Sequence, residues 1–173
     1  MKNIPTFESF VNEYQTYTDF KKGWGTPEDL KIDVTISVRH LIPVKWDETE
    51  AQIKSIEDVS DESKGIKFEI KLKDGDVIHA FKTGQYRGSW EWYLNKKKMQ
   101  DSQIRTQIED KMYKPFDKWL RHYEMGDKYY MYADDPRAYN NGKSHDAFVQ
   151  KLYNALSASD KKKADQIIEK SEN

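Results

Sequence analysis

The sequence predicts an α+β domain with an antiparallel meander of four to five strands. An N-terminal amphipathic helix precedes the sheet and three to four helices follow it. Three observations carry this reading. The chain opens on aromatic residues at helical spacing. Its middle alternates apolar and polar residues between short turns, and beyond Asp101 the apolar residues return to spacings of three and four. One domain over residues 1–173 is expected, with a helical segment at 1–31, the sheet at 32–95 and helices over 96–173.

The opening stripe is Phe7, Phe10, Val11, Tyr14, Tyr17 and Phe20, which share one face of a helix over 6–22. Thr6 suits its N-cap, and Gly23-Trp24-Gly25 ends it. Thr26-Pro27-Glu28-Asp29 reads as a cap, a proline at the first helical position and two acids, enough for one short helical turn.

Ile32, Val34, Ile36 and Val38 then alternate with Asp33, Thr35, Ser37 and Arg39, the pattern of a half-buried strand that Pro43 ends. A weaker strand is expected within 50–59. Ile66, Phe68, Ile70 and Leu72 alternate next, and Asp74-Gly75 joins them to an apolar run over 76–82 as a hairpin. Trp90, Trp92 and Leu94 mark the last predicted strand. Such short connections leave no room for crossover helices, so the pairing is antiparallel.

Ile104, Ile108 and Met112 lie one turn apart on a helix that Pro115 ends or kinks. Phe116, Trp119, Leu120 and Tyr123 continue the apolar face, and Gly126 is the candidate C-cap. Residues 129–136 read as an aromatic loop and Asn140-Asn141-Gly142 as a turn. Ser144 is then expected to cap a helix carrying Phe148, Leu152, Tyr153 and Leu156. Ser157 with Asp160 caps a final helix whose Ala164, Ile167 and Ile168 face inward.

Composition narrows the chemistry. The 173 residues contain no cysteine, which removes thiol catalysis, disulfides and cysteine-based zinc sites. Only 36% of residues are hydrophobic, but 5 Trp, 11 Tyr and 7 Phe can build a core in so polar a chain. A net charge of -1 gives no global attraction to nucleic acid or anionic membrane. No apolar run is long enough to span a bilayer, and the N-terminus lacks the apolar stretch of a secretory signal.

No motif points to catalysis, so an enzyme of unknown type, built on a pocket near Tyr129–Asp135, is only the third alternative, after a non-enzymatic protein-binding role and nucleic-acid binding. His40, His79, His122 and His145 have no partner at a metal-ligand spacing, and no cofactor is expected. Asp134-Asp135-Pro136 lacks the alternating ligands and glycine of a calcium loop. Gly142-Lys143-Ser144 lacks the upstream glycine of a phosphate loop, because Arg137 occupies that position.

Two surfaces are candidates for binding. Over 82–98, Lys82, Arg87, Lys96, Lys97 and Lys98 interleave with Tyr86, Trp90, Trp92 and Tyr93, the mixture with which proteins grip single-stranded nucleic acid. Strand alternation also accounts for both tryptophans, as core residues. Tyr129, Tyr130 and Tyr132 cannot all point inward from a loop, which makes them a candidate partner surface.

The first thirteen residues, with Met1-Lys2, Thr6-Phe7-Glu8-Ser9-Phe10 and Val11-Asn12-Glu13, resemble the head-targeting peptides of large myovirus-type tailed bacteriophages. The resemblance implies a phage protein in the host cytoplasm or the virion, acting through contacts with other phage or host proteins. It also implies processing after Glu13. The aromatic stripe continues past Glu13 to Phe20, so the same residues equally suit a helix packed on its own domain.

Overall fold

Thr26 starts the first element of the computed structural model, which describes residues 25–61, 65–126 and 136–172. Its side chain accepts from the amide of Asp29 at 3.3 Å, while the Asp29 carboxylate accepts from the amide of Thr26 at 2.8 Å. This capping box, with Pro27 in the first turn, opens helix α1 over Pro27–Arg39. The predicted strand at 32–38 is therefore a helix. Residues two apart lie about 200° apart around a helix, so the alternation splits onto two faces. Leu30, Val34 and Val38 recur every fourth residue and are buried with Asp33, whereas Ile32 is 58% exposed and Ile36 42%. The predicted helix over 6–22 lies outside the described residues.

A short helix, α2 (Trp46–Gln52), leads into the sheet: β1 (Ile53–Asp58), β2 (Lys67–Leu72), β3 (Val77–Lys82), β4 (Trp90–Leu94) and β5 (Lys97–Met99). The strands pair in sequence order, each antiparallel to the next, as the meander reading expects. Gly75 turns the β2–β3 hairpin at φ +97°, a conformation suited to glycine. β5 was not expected. Its hairpin turns on Asn95 and Lys96, both left-handed, without the Asn-Gly signature that marks such turns. Asn95 secures the turn, accepting from the Val77 amide at 3.0 Å and donating to Asp76 at 2.9 Å.

Register assigns the two faces of the sheet. Phe68, Ala80 and Trp92 line up on one face, with Ile70, Ile78 and Leu94 beside them. Trp90 and Trp92 are both buried core residues, and Phe68 meets Trp90 edge to face. The opposite face carries Phe81 against Tyr93 and His79 bonded to Glu69 at 3.0 Å.

Helix α3 (Asp101–Met112) follows the sheet with Ile104 and Ile108 buried. The described chain divides at this helix into two compact units, one ending at Ile108 and one beginning at Glu109. The second contains α4 (Pro115–Glu124), α5 (Pro136–Asn154) and α6 (Ala158–Ser171). Pro115 breaks the helical run and opens α4, as its missing amide requires. Trp119, Leu156 and Ala164 form the core of this unit, packed by Phe116, Leu120, Tyr123, Leu152, Tyr153, Ile167 and Ile168. Ser157 caps α6 by accepting from the Asp160 amide. Two expectations fail here. Asn140-Asn141-Gly142 and Ser144 lie inside α5, which starts at Pro136 and runs through a buried Gly142. Glycine inside a helix costs only about 1 kcal/mol, so it does not force a break. α4 ends on Met125 in ordinary helical geometry, so Gly126 is not its cap.

Glu109 collects the charges of this second unit. His122 Nε2 lies 2.7 Å from its carboxylate, with Lys118 and Arg121 each at 3.7 Å. Burial pushes Glu109 up, but the His122 hydrogen bond and the three neighbouring basic groups outweigh it and hold the carboxyl below its ordinary 4.5. His145 Nε2 donates to the carbonyl of His122 at 2.8 Å, joining α5 to α4.

Two outcomes test this description. Val34→Ala and Val38→Ala are expected to lower stability by about 1–3 kcal/mol, and Ile32→Ala and Ile36→Ala by less than about 0.5 kcal/mol, in urea titrations. Equal losses at all four positions would restore the strand. The second concerns His79. Burial pushes it below its ordinary 6.5, against the pull of Glu69. The unfolded chain therefore takes up a proton that the fold resists, and stability falls as pH drops below 6.5 through the folded value. Glu69 is held below its ordinary 4.5, chiefly by the His79 hydrogen bond, which extends the loss further into acid. Between about pH 7 and pH 5, His79→Gln is expected to show a shallower fall in urea midpoint than the wild type. Identical slopes would remove His79 as the cause.

Candidate functional site: a loop on a buried ion pair

β3 places Ile78, Ala80 and Lys82 on the face that packs the core, because side chains alternate along a strand. α1 places Asp33 on its buried face, beside Leu30 and Val34. The two meet. Lys82 Nζ donates to Asp33 Oδ2 at 2.8 Å, and the lysine side chain is 0% exposed. Trp90 Nε1 donates to the same carboxylate at 3.0 Å, and the ammonium lies 4.7 Å from the centre of the Trp90 ring. A carboxylate taken from water needs such donors, since each buried ion otherwise costs several kcal/mol.

The pair also holds the connection between β3 and β4. The Gly88 amide donates to Asp33 Oδ1 at 3.0 Å, and Lys82 Nζ donates to the carbonyl of Tyr86 at 2.7 Å. Gly88 stands at φ +72°, which lets its amide turn inward toward the carboxylate. Thr83 and Ser89 close the base of the loop with a 3.0 Å backbone bond. Loop residues 84–89 are thus fixed from beneath by two ions. Their outward product is Tyr86, whose side chain stands clear of the protein at 83% exposure, with exposed Arg87 beside it. Arg87 is close enough to the N-terminus of α1 for its charge to act on Asp29. That carboxyl is held below its ordinary value first by the Thr26 backbone and side-chain hydrogen bonds, with Arg87 adding to them.

The predicted basic and aromatic segment is taken apart by this arrangement. Lys82 is wholly buried, and Trp90 and Trp92 are in the core, so none of the three is a surface contact. Arg87 lies before β4, and Lys96 lies beyond its other end. The five residues of β4 separate them by about 17 Å at about 3.4 Å per residue. Lys96, Lys97 and Lys98 are exposed, and Lys98 pairs with Glu91 at 3.0 Å. Tyr129, Tyr130, Tyr132 and Glu13 lie outside the described residues. No family model, curated protein or solved structure matches the chain.

Among the described residues, no three His, Cys, Asp or Glu side chains gather where they could hold a metal. Asp33 and Lys82 are occupied by each other and by the loop, so neither reaches a substrate. What the arrangement offers is a shaped surface. The pair itself was missed in the sequence, although Lys82 sits in phase with Ile78 and Ala80. A charged residue at an inward position was the available signal.

Lys82→Met is expected to cost about 3–5 kcal/mol in urea unfolding, because Asp33 stays buried without its cation. Asp33→Leu with Lys82→Met should recover most of that loss. In the double variant the Gly88 amide loses its carboxylate, and its hydrogen exchange should speed up. Unchanged protection at Gly88 would separate loop order from the ion pair.

Proposed function

We propose that this is a non-enzymatic binding protein of a tailed bacteriophage, carried in the virion or associated with the head, and that loop 84–89 contacts its protein partner. One observation carries the reading: a fully buried ion pair is used to fix a surface loop that presents Tyr86 and Arg87. Binding pays less entropy when a contact residue already stands in place, and tyrosine and arginine are the side chains on which interface energy concentrates. The partner surface that fits is an apolar recess for the Tyr86 ring beside a carboxylate for Arg87. The resemblance of the first thirteen residues to head-targeting peptides supports the phage setting.

The test is mass spectrometry of purified particles of the encoding phage. The wild-type protein is expected in the particle. Tyr86→Ala with Arg87→Ala is expected to reduce its copy number about tenfold, equivalent to 1.4 kcal/mol of contact energy, with the melting temperature of the isolated protein unchanged. Absence of the wild-type protein from particles would overturn the virion version. Full incorporation of the variant would overturn the role of the loop.

A further inference from the structure

The hairpin of β4 and β5 carries three consecutive lysines, Lys96, Lys97 and Lys98, and the first of them is strained. Asn95 stands at φ +49° and Lys96 at φ +68°. The second position of such a turn favours glycine, because a Cβ crowds the neighbouring carbonyl in the left-handed region. A lysine kept where glycine folds more easily implies a use for its ammonium. Lys98 pairs with Glu91, whereas Lys96 and Lys97 meet no acid among the described residues.

A groove of about 390 Å³ runs beside these lysines. Lys97 and Lys98 of β5 form one wall, and Ser102, Gln103, Thr106 and Gln107 of α3 form the other. All six residues are exposed. The α3 wall follows from helical spacing: its four residues share one face, opposite the buried Ile104 and Ile108. Among the described residues, no carboxylate lines the groove. The Gln103 side-chain oxygen accepts from the Gln100 amide at 2.9 Å, which leaves its NH2 group to donate elsewhere.

Ammonium groups across from hydroxyls and carboxamides, with no acid between them, are the side chains that hold phosphate oxygens. We infer that this groove receives the sugar-phosphate backbone of a nucleic-acid duplex, without regard to base sequence. A duplex fits better than a single strand, because no aromatic ring lines the groove to stack on an unpaired base. An acidic polypeptide is the weaker fit, since it brings its own amide donors to walls already rich in donors. The net charge of -1 does not oppose the contact, because charges beyond about 8 Å are largely screened at physiological salt and the local lysines decide. This inference is independent of loop 84–89 and its protein partner, which lie at the other end of β4.

The test titrates full-length protein into a fluorescent DNA duplex of about 20 base pairs and reads anisotropy at several salt concentrations. Binding is expected at about 100 μM protein or below in about 50 mM salt, equally for two unrelated sequences. The logarithm of affinity should fall against that of salt with a slope of about −2, one phosphate each for Lys96 and Lys97. Lys97→Gln should weaken binding at least about threefold and bring the slope near −1. Lys96→Gly should do the same while raising the melting temperature, because it removes the charge and relieves the turn. Lysine acetylation, read by mass spectrometry, should find Lys96 and Lys97 reactive in the free protein and protected by the duplex.

Other results would overturn the inference. A duplex left unbound at about 100 μM wild-type protein would mean no site of useful strength. Variants that bind like the wild type would place the contact elsewhere. A Lys96→Gly protein with a lowered melting temperature would mean that the lysine serves the turn. Poly-glutamate that displaces the duplex at equal charge would make the groove a site for acidic protein. Lys97 shielded from acetylation in the free protein would mean that the chain's own residues fill the groove.

Discussion

The packing of α1 on the sheet depends on one electrostatic requirement: the Asp33 carboxylate and the Lys82 ammonium are out of water together. Each ion alone would cost several kcal/mol to bury, so neither α1 nor the end of β3 can take its place without the other. The same contact sets where α1 lies along the sheet, since a shift of one helical turn would move the carboxylate about 5.4 Å from the ammonium. A pair of apolar residues could fill this space with no loss of stability, as replacements of buried ion pairs elsewhere often do. What apolar residues could not do is accept from the Gly88 amide and donate to the Tyr86 carbonyl. The pair holds a shape as well as a core.

The second unit meets its polar burial differently. Its core is built on Trp119, stacked on Tyr123 at 5.1 Å and flanked by Phe116 and Tyr153. Its charges gather on Glu109, which meets His122, Lys118 and Arg121. Glu109 and Lys118 are buried and His122 and Arg121 half-buried, so the second unit withdraws a cluster of four charged groups from water where the first withdraws a single pair. The tyrosine hydroxyls are also tied down, Tyr153 to Asp165 and Tyr123 to Ser171, both at 2.6 Å.

The parts of this fold that could be read in the sequence are those where two signals agree. β2 and β3 combined period-two burial with Asp-Gly between them, and the break before α4 combined a proline with an apolar face that resumes beyond it. The errors came where one signal stood alone. Ile32 to Val38 satisfies a strand of one apolar face and a helix of two, and the capping box at Thr26 decided between them. Asn141-Gly142 looked like a turn, but a local preference worth about 1 kcal/mol yields to packing. The loop site was hidden for another reason. Asp33 and Lys82 are 49 residues apart, and nothing local to either announces the other. Arg87 was visible as a candidate, but its setting was not, because the sequence could not show Lys82 withdrawn from the surface and placed beneath the loop.

The margins of the sheet carry a last consequence. β5 is three residues long with two lysines, and β1 is interrupted by a register shift between Ile53 and Ser55 and ends in Glu57 and Asp58. Short, charged or kinked borders are poor templates for another strand, because an incoming backbone meets like charge or broken spacing. Growth of the sheet from chain to chain, and the fibrous aggregation it leads to, is thereby discouraged at both ends. A surface that meets others through its side chains can thus stay free of indiscriminate backbone pairing.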